Sequence, residues 1–551
     1  MSLVEKKEAP DKPPKVEQLV NIMIDGRAVS VPAGINLIEA AKLAGIEIPH
    51  YCYHPALSIA GNCRMCQVEV KGARKMEIAC NTIVKEGMEV ATHHSSRAVA
   101  DSQAAVLEMI LINHPLDCTV CDQAGHCKLQ DYHYQYNAKD SRFLEEKERK
   151  VKAQPLGPTV MLDGERCIMC SRCVRFCDEV TGTAELGIAN RGDRSVIVVH
   201  PDRELNNPFS GTVVDLCPVG ALTHRQWRFN TRIWFTKQVD SICPGCSTGC
   251  NVKLASRDSQ IVQVKARWNA DVNKEWLCDY GRYGYGKFVP KERFLKPVEK
   301  INGAKQEITY DQAFQKIISA GEFDAIFLSG DLLTEEYHLV SKWLETLRYQ
   351  PKIYLNYLER SLSDLEKILI SPDYSPNYQG ALFCDLIKLE GLKDQWFEGL
   401  RALSAGKLQR VLMFGDNVLH GLPAEFESVL SATLSDNQTV SKVSKIVFCG
   451  SDAASLAAIG AWIILPTEAL LEKSGFYINR QKRMQFLDSV FAMPSGVLAQ
   501  WQIIARLAIG VELTKAKNYR ELSRHFLAER GFEGVTIAQI KNGGINLGGE
   551  L

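Results

Sequence analysis

The chain has 551 residues, 46% of them apolar and 24% charged, with 65 basic side chains balanced by 65 acidic ones. Such a length suggests about three or four domains, and the composition is that of ordinary globular protein. The balance leaves no global field that would favour nucleic acid or an anionic membrane, so the sequence implies no nucleic-acid partner. No apolar run reaches the roughly 18 residues needed to cross a bilayer, so membrane contact is expected only through partner subunits.

Residues 1–18 are polar and proline-rich, without the apolar core of a signal peptide, and are expected to form a flexible tail. From Val20 the alternation VNIMIDGRAVSV around Asp25-Gly26 predicts a β-hairpin. INLIEAAKLAG then has helical apolar spacing and ends at Gly45. Next comes a loop carrying Cys52, Cys63 and Cys66 before a strand, with Cys80 beyond it, a C-x10-C-x2-C-x13-C spacing. Residues 101–113 (DSQAAVLEMILIN) predict a helix ending near Pro115. Directly after it lie His114, Cys118, Cys121 and Cys127, as H-x3-C-x2-C-x5-C.

The charge-rich stretch 143–153 (FLEEKERKVKA) reads as a solvated linker or helix face. A run CIMCSRCVRFC follows, holding Cys167, Cys170, Cys173 and Cys177, and Cys217-Pro218 closes this region. The last cysteine-rich stretch is SICPGCSTGC with Cys243, Cys246 and Cys250, completed by Cys278. Gly245 and Gly249 there suit tight turns between closely spaced thiolates. The intervening NVKLASRDSQIVQVKAR alternates like a small antiparallel sheet.

Sixteen of the 18 cysteines thus lie between residues 52 and 278. C-x-x-C pairs in a large chain chelate metal well and staple distant segments poorly, which argues against a disulfide framework and for a reducing compartment. Each group offers four soft or borderline ligands, the number one iron–sulfur cluster requires. His114 alone would be an ordinary capping or core residue. It is read as a ligand because three cysteines leave a four-iron cluster one short. His126 and the His93-His94 pair lack that argument and are read as structural or solvated. A C-x2-C-x2-C-x3-C run with a remote C-P is the mark of a two-cluster ferredoxin. With its second run reduced to Cys217, that residue is assigned to Cys167, Cys170 and Cys173, which leaves Cys177 as a buried free thiol.

Beyond Cys278 only Cys384 and Cys449 remain, both read as core thiols. The strands FDAIFLSG, KIYLNY, RVLMFGDN, KIVFCGSD and AWIILP, set between helical stretches, predict an α/β region with a parallel sheet. Gly415-Asp416 and Gly450-Ser451 would suit a phosphate cradle, but without a glycine-rich or Walker motif an ordinary strand-to-helix turn is the preferred reading.

The modules carry resemblances. Hairpin, helix, ligand loop and strand resemble a β-grasp [2Fe–2S] ferredoxin. The Cys243–Cys278 group resembles the cluster domain of molybdopterin oxidoreductases. LPTEALLEKSGFYINRQKRMQ is similar to a stretch of the same family, with Glu472, Lys473, Gly475, Asn479, Arg483 and Gln485 in corresponding places. In order, the modules resemble the large iron–sulfur subunits of respiratory complex I, the NADH–quinone oxidoreductases, closely through Arg282 and loosely beyond.

This resemblance implies a multidomain α+β and α/β chain. Its expected parts are a [2Fe–2S] ferredoxin-type domain at 19–97, a one-histidine three-cysteine [4Fe–4S] segment at 98–138 and a [4Fe–4S] ferredoxin-like domain at 139–236. A molybdopterin-oxidoreductase-type [4Fe–4S] domain at 237–287 and a degenerate molybdopterin-oxidoreductase-like domain at 288–551 complete it. One [2Fe–2S] and three [4Fe–4S] clusters are implied, with no substrate site in this chain. The implied partners are a flavin- and NADH-binding subunit and other hydrophilic-arm subunits, at the cytoplasmic face of a bacterial inner membrane. The fourth cluster, found only in some bacterial members, is implied to lie off the main path.

Two departures from the active molybdenum enzymes imply no molybdenum: Tyr280 replaces the lysine two residues after the last cluster cysteine, and the C-terminal part is short. A molybdenum formate dehydrogenase, an iron-only hydrogenase and a scaffold with structural clusters are the competing readings.

Overall fold

A computed structural model describes residues 18–290, 292–301, 304–435 and 445–547. The expected tail lies outside these residues, apart from Gln18, whose carbonyl accepts the Ala33 N–H at 2.8 Å. The chain divides into two compact units, one ending at Trp234 and the other starting at Phe235.

In the first unit, β1 (Leu19–Ile24) and β2 (Arg27–Pro32) pair antiparallel across Asp25-Gly26. Both turn residues have positive φ (50° and 77°), the two-residue turn that Asp-Gly favours. Helix α1 (Leu37–Leu43) starts where the Asn36 side chain accepts the Glu39 N–H, and the chain leaves it through Gly45 at φ 71°. With β3 (Gln67–Val70), β4 (Glu77–Ile78) and β5 (Glu89–Ala91) the strands form one mixed sheet in the order β2-β1-β5-β3-β4. Ile22, Ile24, Val31, Leu37, Ile38, Val68 and Val90 fill the core between this sheet and α1.

Helix α2 (Arg97–Leu111) begins four residues before the predicted start, because Ser96 caps it by accepting the Val99 N–H. Helix α3 (Lys128–Tyr136) follows. The 143–153 stretch has no helix and no buried residue, as a solvated linker should, but its lysines are tied back to the protein. Lys147 Nζ donates to the Leu111 and Ile112 carbonyls at the end of α2 (3.0 and 2.5 Å), and Lys152 pairs with Asp117 and Glu165.

The remaining strands of this unit are β6 (Gln154–Pro155), β7 (Val160–Leu162), the hairpin β8 (Leu186–Ala189) with β9 (Val196–Val199), and β10 (Leu222–His224). β10, β7 and β6 make a small antiparallel sheet. Between them lie the short helices α4 (Arg172–Arg175) and α5 (Thr212–Leu216).

The second unit opens with an antiparallel sheet of β11 (Lys237–Ile242), β12 (Asn251–Arg257) and β13 (Gln260–Ala266), as the alternation there predicts. Its main layer is a seven-stranded sheet of β14 (Val298–Ile301), β15 (Ala304–Glu307), β16 (Ala325–Leu328), β17 (Lys352–Leu355), β18 (Arg410–Phe414), β19 (Lys445–Gly450) and β20 (Ile463–Pro466). The order is β15-β14-β20-β19-β18-β16-β17, with the five predicted strands parallel.

Alternate residues of each strand bury on opposite faces. Leu328, Phe414 and Cys449 pack on one face, and Phe327, Met413 and Phe448 on the other. Cys384 and Cys449 are core thiols on the same side. A short helix, Leu456–Gly460, leads into β20. β21 (Gly475–Ile478), β22 (Arg483–Leu487) and β23 (Ile545–Asn546) form a third sheet.

Candidate metal centres

All 18 cysteines are free. In the first group, Cys52 ends the loop after α1, its N–H directed at Cys63 Sγ at 3.5 Å. Cys80 sits in a 3-10 turn whose Ala79 N–H bonds the Cys66 carbonyl at 2.9 Å. Gly61 takes φ 61°, and Arg64 takes φ 58°, so the loop is wound tightly around its thiols. The four sulfurs meet as two hydrogen-bonded pairs, Cys52 with Cys63 and Cys66 with Cys80. Within each pair the hydrogen bond drives one sulfur toward thiolate (Cys52 and Cys80 lowered) and holds the proton on the other (Cys63 and Cys66 raised).

In the second group, His114 follows α2, Cys118 and Cys121 flank a 3-10 turn, and Cys127 caps α3. The three thiols interact with one another, and the Arg166 charge acts on both His114 and Cys121. Burial, seconded by Arg166, pulls His114 down to about 4, so the imidazole is neutral, as a metal ligand must be. Its Nδ1 is buried with no hydrogen-bond partner among the described residues. A buried orphan acceptor is costly unless something absent here satisfies it. The backbone at Gly220 presses on this group: a Cβ there would lie 2.1 Å from Cys121 Sγ.

In the third group, Met169 (φ 54°) and Ser171 (φ 61°) wrap the loop between Cys167 and Cys173. Cys217 ends α5 and interacts with Cys167, Cys170 and Cys173. Burial raises all four thiols, Cys167 to about 11 and Cys217 to about 12. Anionic sulfur here therefore needs a metal to stabilise it. Cys177, in a π-helical turn over 176–180, acts on Cys173 but faces Glu185 and Asp178, not the other three thiols.

In the fourth group, Cys243, Cys246 and Cys250 occupy the β11–β12 loop, where the Cys243 N–H bonds the Cys250 carbonyl at 2.7 Å. Cys278 caps the helix Asp279–Tyr283, its Sγ accepting the Gly281 N–H at 3.3 Å. Gly249 has φ 63°, and a Cβ at Gly281 would meet Cys243 Sγ at 2.9 Å. The Lys287 ammonium bonds the Tyr280 hydroxyl and lies 3.8 Å from that ring's centroid. Burial brings Lys287 down to about 8, against the opposing pull of Cys243 and Cys246.

Among the described residues no three His, Cys, Asp or Glu side chains close on a single metal ion. Each group supplies the four sulfur or imidazole donors that one iron–sulfur cluster takes. The donor sets fit that chemistry.

Sequence reasoning missed the residues that join and brace these groups. Tyr51, buried with its hydroxyl unpartnered among the described residues, interacts with Cys63 and Cys127. Arg166 is ion-paired with Asp117 and Asp163 (3.1 and 3.2 Å) between the second and third groups. The second unit's EKSG segment braces the fourth. Asn479 Nδ2 donates to the Thr248 carbonyl (3.2 Å), and Gln485 Nε2 to the Gly249 carbonyl (2.9 Å). In the same segment Lys473 is buried between Glu336, Glu468 and Gln500, Glu472 pairs with Arg293, and Arg483 pairs with Asp271. The signal for this role was the polar spacing N-x5-Q on a hairpin, which does not name its target.

The turns after β18 and β19 form no phosphate cradle. The Asp416 carboxylate already accepts the Ser451 and Asp452 N–H groups (2.5 and 2.8 Å).

Four family models match in order along the chain. They are a 2Fe-2S iron-sulfur cluster binding domain (17–95), an NADH-ubiquinone oxidoreductase-G iron-sulfur binding region (103–142), an NADH-quinone oxidoreductase subunit 3 ferredoxin-like domain (157–223) and a molybdopterin oxidoreductase Fe4S4 domain (236–288). The chain is 38% identical over 370 residues to the NADH-ubiquinone oxidoreductase 75 kDa subunit of Reclinomonas americana, covering 65% of this chain and 53% of that one. It is 36% identical over 332 residues to an NADH-quinone oxidoreductase subunit of Streptomyces coelicolor, covering 59% and 39%. It is also 40% identical over 301 residues to a mitochondrial NADH dehydrogenase [ubiquinone] iron-sulfur protein 1 of Solanum tuberosum, covering 54% and 40%. The chain thus spans about half the length, or less, of the curated relatives it matches. A crystal structure of an NAD+-reducing [NiFe]-hydrogenase aligns over 39% of this chain and 91% of that one at 29% identity, with a TM-score of 0.35, too low to compare folds.

Proposed function

We propose, from the chain's homology to large subunits of NADH–ubiquinone and NADH–quinone oxidoreductases, that it is the electron-relay subunit of such a complex. The observation that carries this reading is the gathering of four groups of free ligands in the order in which the family models match. When bound, iron–sulfur clusters accept and release single electrons. We assign a [2Fe–2S] cluster to Cys52, Cys63, Cys66 and Cys80 in a β-grasp domain. [4Fe–4S] clusters are assigned to His114 with Cys118, Cys121 and Cys127, to Cys167, Cys170, Cys173 and Cys217, and to Cys243, Cys246, Cys250 and Cys278. A flavin-bearing, NADH-oxidising partner supplies electrons, and other hydrophilic-arm subunits take them on toward quinone. The complex is placed at the cytoplasmic face of a bacterial inner membrane. No helix among the described residues is long and apolar enough to cross it, so partners supply the contact.

The residues from 288 onward serve in this reading as a degenerate molybdopterin-oxidoreductase-like scaffold without molybdenum. A cavity of about 560 Å³ opens at the carboxyl ends of the parallel strands, where ligands bind in such sheets. Its walls carry Asp331, Asp416, Glu427, Asp452 and Glu468 against Lys287 and the already paired Lys473. That balance repels a pyrophosphate-bearing pterin. The test is to purify the chain with its complex and add NADH under electron paramagnetic resonance. Rapid reduction of its clusters only when the flavin partner is present is the expected result. Clusters that NADH never reduces in the flavin-replete complex would leave a structural scaffold.

A further inference from the structure

Arg172 lies between the first and third ligand groups and is 8% exposed. One guanidinium nitrogen donates to the Leu216 carbonyl, next to Cys217, at 3.2 Å, and another to the Tyr53 carbonyl, next to Cys52. Arg175, half-buried beside it, donates to the Cys52 carbonyl (2.6 Å) and the Cys170 carbonyl (3.3 Å). These two side chains therefore tie the backbone of one ligand loop to that of the other.

Their charges are unmatched. Every acceptor of Arg172 is a backbone carbonyl, and those of Arg175 are carbonyls and the Ser171 hydroxyl. Neither makes an ion pair with a carboxylate among the described residues, and Arg172 Nε is buried without a partner. Arg166, by contrast, has Asp117 and Asp163. A guanidinium out of water without a counter-ion is strongly destabilising, so a buried one points to an anion nearby. The groups whose negative charge would favour the Arg172 cation are the sulfurs of Cys170, Cys217 and Cys52, drawn from both groups.

We propose that Arg172, assisted by Arg175, is the shared counter-charge of the first and third centres, favouring the reduced form of both; this rests on the relay reading above. Each centre gains one negative charge when it takes up one electron, and no bond forms and no proton moves at the arginine. A fixed cation in low dielectric stabilises that extra charge more than the oxidised state. Because one guanidinium faces both centres, removing it shifts both. Arg172 is thus a positioning residue acting through charge, not a redox-active one.

The test is a redox titration of the full chain with a chemical reductant, following the paramagnetic signal of each centre. Arg172→Gln is expected to move the reduced-to-oxidised ratio of the first and third centres about tenfold toward oxidised, about 59 mV for one electron. The second and fourth centres should hold their potentials, and Arg172→Lys should recover most of the shift. Unchanged potentials, an equal shift at all four centres, or a lysine variant no better than glutamine overturns the proposal. If Arg172→Gln loses iron, Arg175→Gln carries the same test with a smaller shift in the same two centres. Loss of iron in both means a structural role and also overturns it. A wild-type chain without iron would instead refute the relay reading, a separate outcome.

Discussion

Gly220 has no cysteine chemistry of its own, yet a methyl group there would lie 2.1 Å from Cys121 Sγ and 3.2 Å from Gln123 Cβ. A ligating sulfur cannot retreat, so Gly220→Ala should cost about 1–3 kcal/mol of overpacking at the second centre. Iron analysis should show about four irons lost per chain, the content of one four-iron cluster; a full complement would mean that the Gly220 backbone can move. Cys177 tests the third centre. Its acidic neighbours, and its interaction with Cys173 alone of the four thiols, predict that Cys177→Ser keeps the iron content, whereas Cys173→Ser loses a cluster. Equal loss from both substitutions would reassign Cys217. The ligands themselves were legible because thiolate spacing is a local pattern. Gly220, Tyr51 and the arginines were not, since their meaning comes largely from neighbours distant in sequence, as with Arg172 and Tyr53 (119 residues).

At the level of elements, the β21–β22 hairpin braces the loop of the fourth ligand group. Gln485 donates to the Gly249 carbonyl and accepts from Asn251 Nδ2 (2.6 Å), so it holds the residues on either side of Cys250. Gln485→Leu should lose the fourth cluster alone, read as a selective loss of its signal; loss of all signals would point to general unfolding. The helix Thr334–Thr346 carries a second element-scale effect. Glu335 is fully buried, and burial, with the nearby Glu336, raises it to about 7 despite bonds from Ser523 Oγ and the Phe476 N–H. The unfolded chain releases this proton near 4.5 and the folded chain near 7, so the stabilisation is complete below about pH 4.5 and is lost as pH rises to 7. Thermal unfolding should therefore show Glu335→Gln more stable than wild type above pH 7, with the gap closing toward pH 5. A gap independent of pH would place the proton elsewhere. Strand identities were readable because buried parallel strands are short apolar runs. The start of α2 and the role of 143–153 were not, because capping and internal ion pairing leave no periodicity.

Across the whole molecule, two compact units divide the work: the first holds three candidate centres in one body, and the second holds the fourth against a seven-stranded sheet. The order of the cysteine groups was legible from their spacing, and the modules from the resemblance that spacing and the flanking elements carry. The partners of Asp416, Lys473 and Gln485 were not, because these residues look like ligand-binding ones until the groups they bond are seen. Replacing Lys473 by Met would strand Glu336 and Glu468 and cost roughly 3–5 kcal/mol, seen as a lower unfolding temperature with the iron signals of the first unit intact below it. An unchanged unfolding temperature would show that the carboxylates are already protonated. The central claim, a four-cluster relay, is tested most directly by metal analysis of the full chain joined to electron paramagnetic resonance of its reduced form. The account predicts about fourteen irons per chain, from one two-iron and three four-iron centres, with no molybdenum or tungsten. Stoichiometric molybdenum, or iron enough for only a single centre, would contradict it.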